Sequence, residues 1–204
     1  MTARIALLAI LNLYFSTLYT QGESNLSVIL ETGLSLSESD SEGLSLLFGI
    51  EPKVRIVKRT YLGVRFGFMT NTSNYNIDDI SRYDFDTRQD NAVVFCTPSL
   101  SYYLDKLSYK GRDYSFYISS GLGYYLLNGI EFFDTNTGNT IEIDVENRLG
   151  LNLRAGFEVK RLKIGVEYNL IPRGELKDTS DNNQKTGEVN NTYWALSIGY
   201  ILVL

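Results

Sequence analysis

The sequence predicts an all-β chain: an eight-stranded antiparallel up-and-down transmembrane β-barrel behind an N-terminal signal peptide. Three observations carry that reading. Apolar side chains alternate with small or polar ones through eight separate segments, which is the period of strands with two unlike faces. Short or middling turns (58–60, 105–113, 160–161) alternate with connections that are long and polar except for the first, 37–42, as in a meander whose alternate connections fall at opposite ends. The apolar faces together carry roughly forty bulky side chains, too many for the inside of an eight-stranded barrel, which is only just wide enough for side chains to fill.

The 204 residues divide into a leader, 1–20, and a barrel domain, 21–204. Arg4 gives the leader a basic start. Residues 5–19 are apolar except for Asn12, Ser16 and Thr17. That run is too short to cross a bilayer comfortably as a helix, and polar residues follow from Gln21, so it reads as a secretory signal cleaved near Thr20/Gln21. A buried or anchoring N-terminal helix is the alternative.

Taken in order, the alternation is as follows. Residues 26–36 set Val28, Leu30, Leu34 and Leu36 against Ser27, Glu31, Gly33 and Ser35. Residues 44–56 set Leu46, Phe48, Ile50 and Ile56 against Ser45, Gly49, Glu51, Lys53 and Arg55. Residues 62–68 set Leu62, Phe66 and Phe68 against Gly63, Arg65 and Gly67. Residues 92–104 are less regular, with Val94, Leu100 and Tyr102 against Thr97, Ser99 and Ser101. Residues 114–127 set Phe116, Ile118 and Leu122 against Ser119, Gly121 and Gly123. Residues 143–159 set Leu149, Leu151 and Leu153 against Asn152, Arg154 and Glu158. Residues 162–170 set Ile164, Val166 and Tyr168 against Lys163, Gly165 and Glu167. Residues 192–204 set Trp194, Leu196 and Ile198 against Ala195, Ser197 and Gly199. Pro52 and Pro98 fall inside strands, where a missing N–H breaks the ladder, so a bulge is expected at one of them.

Alternation does not say which face is inside; a soluble secreted lipid-binding barrel alternates too. The excess of apolar bulk and the chemistry of the other face decide for lipid outside. Gly and Ser beside long charged side chains suit a crowded lumen rather than a wetted sheet, which favours few glycines. The lumen is then expected to hold Glu31, Glu51, Glu158 and Glu167 with Lys53, Arg55, Arg65, Arg154 and Lys163. Four acids against five bases read as a structural ion network, since buried charges are tolerated when paired; an ion path or gate is the sharper alternative. Aromatics near strand ends, among them Tyr61, Phe68, Tyr103, Tyr125, Tyr193, Trp194 and Tyr200, suit the two headgroup levels.

The last strand, Ser197-Ile198-Gly199-Tyr200-Ile201-Leu202-Val203-Leu204, resembles the C-terminal signal read by the outer-membrane assembly machinery. Ser197, Gly199, Leu202 and Leu204 carry the match, with Leu204 where an aromatic is usual. With the leader and the stretches Ser119-Ser120-Gly121-Leu122-Gly123-Tyr124-Tyr125 and Arg154-Ala155-Gly156-Phe157-Glu158, the chain resembles the small outer-membrane β-barrel or porin-family proteins common in the Bacteroidota, over residues 26–204. The resemblance implies a place in the outer membrane, contact with its lipid and with the assembly machinery, and no shared catalytic residues.

Composition narrows function by exclusion. No His is present, which removes Ser-His-Asp triads, Cys-His pairs and the common metal sites. One Cys, Cys96, forms no internal disulfide and lacks a base to activate it. A net charge of −5 gives no basic footprint for nucleic acid. The acidic stretch with Asp78, Asp79, Asp84, Asp86 and Asp90 lacks calcium-loop spacing. No enzyme activity and no cofactor is expected. The loops 71–90 and 172–191 are the places for an extracellular ligand, in a structural or surface-interaction role; passage of ions or small solutes is the alternative.

Overall fold

The computed structural model describes residues 26–37, 44–71, 74–77, 83–84, 91–104, 107–109, 112–127, 130–134, 139–178 and 184–203. The leader, residues 78–82 and 85–90 of the acidic stretch, and Leu204 lie outside the described residues. Among the described residues the strands are β1 (Leu26–Ser37), β2 (Leu44–Val57), β3 (Thr60–Asn71), β4 (Asn74–Ile77), β5 (Tyr83–Asp84), β6 (Asn91–Tyr103), β7 (Leu107–Tyr109), β8 (Arg112–Leu127), β9 (Ile130–Asp134), β10 (Asn139–Val145), β11 (Arg148–Val159), β12 (Leu162–Leu170), β13 (Gly174–Asp178), β14 (Gln184–Asn190) and β15 (Tyr193–Val203).

Eight of these close into an antiparallel barrel. The order is β1-β2-β3-β6-β8-β11-β12-β15, and β15 pairs back onto β1. The register measures the stagger. Starting at Ser27 on β1, the paired residues are Lys53, Gly63, Ser99, Gly121, Asn152, Asn169 and Tyr193, and Tyr193 lies opposite Ser37. One circuit therefore returns to β1 ten residues further on. A closed sheet needs such a stagger, because tilt and shear are linked.

The faces sort as the alternation predicts. Leu30, Leu46, Phe66, Leu122, Leu149, Leu196 and Ile198 all stand exposed on the outside, while Glu31, Glu51, Arg65, Arg154, Lys163 and Glu167 are buried within. An apolar outer belt around satisfied backbone is the surface hydrocarbon requires. The closed barrel and this belt make the chain a membrane-spanning β-barrel in architecture.

Three features differ from the sequence reading. The stretch 143–159 is two strands, β10 and β11, interrupted at Glu146 and Asn147. The Asn147 side-chain oxygen accepts from the Leu127 N–H at 3.0 Å, so a local side-chain bond replaces a ladder bond there. No bulge sits at either proline. The pairing skips past Pro52, between Ile50↔Phe66 and Lys53↔Gly63, and past Pro98, between Cys96↔Tyr124 and Ser99↔Gly121, and resumes in the same register. The bulge of β2 lies between Arg55 and Val57 instead. Finally, the long connections pair among themselves as a second sheet, ordered β4-β14-β13-β10-β9-β5.

Two connections of the short end are two-residue turns, Lys58-Arg59 and Lys160-Arg161, and the third carries β7. Arg59 (φ 70°) and Lys160 (φ 55°) adopt the left-handed conformation. Tight hairpins demand it because only such turns match the twist of the flanking strands.

The outward face makes a direct prediction. Leu153, mid-strand in β11 and half exposed, should tolerate other apolar residues, whereas Leu153→Arg should destabilise the protein in vesicles by about 2–4 kcal/mol. Denaturant unfolding from lipid measures this, and an unchanged midpoint would mean that the face does not meet hydrocarbon.

Candidate functional site

The lumen is built from the inward residues of all eight barrel strands. Several cross-strand neighbours of the long charged side chains are small. Glu31 lies between Gly49 and Gly199, and Arg154 is opposite Ser119. The space this leaves is already in use: a Cβ on Gly63 would lie 3.0 Å from Lys53 Cγ and 3.2 Å from Glu51 Oε1. One on Gly165 would strike the Tyr117 hydroxyl.

Into that space the strands aim three carboxylates and four cations. Arg154 meets Glu51 in a fork, with Nη1 3.0 Å from Oε2 and Nη2 2.5 Å from Oε1. Arg65 bridges two acids, its Nε 2.8 Å from Glu31 and its Nη1 2.7 Å from Glu167. Lys163 sits 2.8 Å from Glu31 and 3.2 Å from Glu51. Lys53 is 3.9 Å from Glu51 and 3.2 Å from the Tyr103 hydroxyl. Neutral groups complete the shell. Ser99 donates to Glu51 at 3.0 Å, Asn169 to Glu167 at 3.1 Å, and the Tyr125 hydroxyl to Asn169 at 2.7 Å. The Tyr117 ring lies beneath Lys163, 4.8 Å from its ammonium, a cation–π contact strengthened by the burial of both groups.

Seven of the nine residues expected in the lumen network are thus brought together. Arg55 and Glu158 are not. They share the inward parity but stand at the short-turn rim, where Arg55 is exposed and Glu158 accepts a hydrogen bond from Tyr103. Parity assigns a face and says nothing about depth. Both line an open vestibule of about 1030 Å³, together with Lys58, Arg59, Tyr61 and Arg112.

The other end is apolar, a feature the sequence reading missed. Leu47, Met69, Val93, Phe95, Tyr125 and Ala195 point inward and pack with Val145, Ile171, Leu176 and Val189 from the connections. The signal was present as consecutive apolar residues such as Val93-Val94-Phe95, where both faces are apolar. Gly67 makes room here, since a Cβ on it would collide with the Phe95 ring. Among the expected belt aromatics, Phe68, Trp194 and Tyr200 face outward, and Trp194 packs against Tyr168 with centroids 4.5 Å apart. Tyr61, Tyr103, Tyr125 and Tyr193 are inward instead, because their parity places them with the lumen set.

On β15, Ser197 and Gly199 face the lumen and Leu202 faces out; Leu204 lies outside the described residues. Cys96 is partly exposed on the outward face of β6, opposite Phe66 and Tyr124. In the second sheet Lys185 sits 3.0 Å from Glu188 and holds that carboxyl below its usual range.

No protein-family model matches the chain, and no curated protein matches it in sequence. The solved structures similar to it include small outer-membrane barrels. Neisserial surface protein A is 13% identical, covers 90% of this chain and 100% of its own, and superposes with a TM-score of 0.54. Ail, the attachment invasion locus protein of Yersinia pestis, is 14% identical over 88% of this chain and 99% of its own, with a TM-score of 0.45. A major outer membrane protein from Thermus thermophilus is 17% identical over 87% of this chain and 99% of its own, with a TM-score of 0.44. The first of these likenesses shows a shared fold.

The network predicts its own mutational response. Arg154→Met should cost about 3–5 kcal/mol, because it leaves Glu51 buried beside an apolar side chain. The double variant Arg154→Met/Glu51→Met should recover part of that loss. Unfolding of both in lipid provides the measurement. A single variant as stable as the parent would show that the fork contributes nothing to stability.

Proposed function

We propose that the chain is an integral outer-membrane scaffold whose lumen is plugged by the ion network and whose long connections form a surface for interaction, with binding rather than catalysis as its task. The observation that carries this reading is the burial of the forked Arg154–Glu51 pair and its neighbours, with side-chain exposures of 2% and 0%. An ion crossing the barrel would have to displace several charge pairs that are buried and hydrogen-bonded to one another. Three of the connections, by contrast, are long, polar and paired into a sheet of their own, and loops on a scaffold of this kind carry recognition. Residues 71–90 and 172–191 are the proposed contact regions for a ligand. Residues 1–20 act as the export signal, and Ser197, Gly199, Leu202 and Leu204 serve assembly.

The test is electrical. Purified protein inserted in planar bilayers is expected to give no current steps while its gel migration remains heat-modifiable. Regular conductance steps from the unaltered chain would overturn the plugged lumen. Orientation is tested on intact cells. Trypsin should cut at loop sites such as Arg82 and Arg88 and spare the Lys58-Arg59 turn. Cutting at that turn with the loops spared would reverse the assignment of ends.

A further inference from the structure

We propose that the short-turn rim carries a binding site for one anionic phospholipid headgroup, on the outside of the barrel at the β11–β12 turn. A groove of about 470 Å³ is lined there by Arg112, Val159, Lys160, Arg161 and Leu162. Its composition is the argument: three cations and two aliphatic side chains, and no acid.

The register shows why the groove faces lipid rather than the lumen. Val159 pairs with Tyr114 on the outward face, and Leu162 pairs with the outward-facing Tyr200. Arg112 has the same parity as Tyr114 and Phe116 on β8. Arg161 extends over the barrel wall, donating from Nη1 to the Tyr200 hydroxyl at 3.3 Å. Lys160, in the left-handed turn position, completes the cationic side. The two described acids of this rim, Asp113 and Glu158, have the opposite parity and line the vestibule. Each is engaged, Asp113 by the Ser108 hydroxyl and Glu158 by Tyr103. The vestibule has cations of its own, Arg55, Lys58 and Arg59, and shares Arg112 and Lys160 with the groove; what sets the groove apart is that both acids lie on the vestibule side and none lines the groove.

Such a groove fits a glycerophospholipid with a net negative headgroup. Two guanidinium groups and an ammonium match a phosphodiester, which accepts paired N–H bonds from Arg. Val159 and Leu162 continue into the apolar belt, where an acyl chain would lie. A free phosphate would use the cations and leave the aliphatic pair idle, and a zwitterionic headgroup would bring its own cation into a cationic groove. Basic side chains at the boundary of a bilayer draw anionic lipid in this manner. The inference is independent of whether the lumen conducts.

The test compares lipids retained by the intact barrel when it is released from vesicles of phosphatidylcholine mixed with phosphatidylglycerol and examined by native mass spectrometry. The unaltered chain is expected to retain one phosphatidylglycerol in preference to phosphatidylcholine. The triple variant Arg112→Gln/Lys160→Gln/Arg161→Gln should lose that preference on the order of a hundredfold. A control removing the same charge from the far end, Arg173→Gln/Lys177→Gln/Lys185→Gln, should keep it. Heat-modifiable migration establishes that each variant is folded. Should the turn variant fail to fold, the preference of the unaltered chain and its decline with salt still decide. Equal retention of the two lipids by the unaltered chain would overturn the site. So would equal loss in both triple variants, or displacement of the lipid by millimolar inorganic phosphate alone.

Discussion

Closure of the hydrogen-bond ladder is the constraint on which everything else in this molecule depends. Hydrocarbon offers no partner to a strand edge, so a sheet in a membrane must have none. The pairing of β15 with β1 removes the last edge, and the ten-residue stagger then determines the barrel's dimensions. With strands about 4.8 Å apart and a rise of about 3.3 Å per residue, eight strands at this stagger tilt by about 41° and enclose a backbone radius of about 8 Å. An extended Arg or Lys side chain from the wall reaches the axis of such a cylinder. That is why glycine and serine alternate with Arg65, Arg154 and Lys163 in the lumen: large residues on every inward position would not fit.

A lumen this narrow makes charge an obligation as well as an opportunity. Each cation taken out of water needs a partner at hydrogen-bonding distance, and each carboxylate needs several donors. The network meets this through sharing: Glu31 serves Arg65 and Lys163, and Glu51 serves Arg154, Lys163 and Ser99. These contacts join β1 and β2 to β3, β11 and β12 across the lumen, far from the sequence neighbours that the ladder connects. Bonds between opposite walls resist flattening of the barrel in a way that ladder bonds cannot. The fourth cation, Lys53, is turned toward Tyr103 and through it to Glu158, so the excess positive charge lies on the side of the open vestibule.

What the sequence made legible follows from which features are local. Period two is local, and it located all eight barrel strands, the outward belt and seven lumen charges. Depth along the barrel is not local, because it depends on stagger, a property of the closed ring. Arg55 and Glu158 have the parity of the lumen set and yet stand at its rim. The apolar end was hidden for a related reason. Phe95 and Tyr125 lie beside outward apolar residues, and where both faces are apolar the period vanishes. The pairing of the long connections rests on contacts between loops distant in sequence, which no local pattern reports. The prolines show a different limit. Their missing N–H is a local fact, but whether the ladder answers with a bulge or with a skipped pair depends on the neighbouring strand.

The second sheet then explains how the two ends of the lumen come to differ. β4 and β5 are its opposite edges, yet only residues 78–82 separate them in sequence. The six links from Ile77 to Tyr83 reach at most about 22 Å even fully extended. Six strands laid flat would put those edges about 24 Å apart. The sheet must therefore curl, continuing the curvature of the barrel wall beyond its end. A curled sheet brings the inner faces of β10, β13 and β14 together over the lumen, and this is where Val145, Leu176 and Val189 pack on Leu47, Met69 and Phe95. The turn end has no such extension: two of its three connections are two-residue hairpins, the third adds only the three-residue β7 paired to β8, and the vestibule stays open. Connection length, long in three of the connections at one end and short or middling at the other, thus decides which end of the barrel acquires an apolar core and which remains a charged mouth.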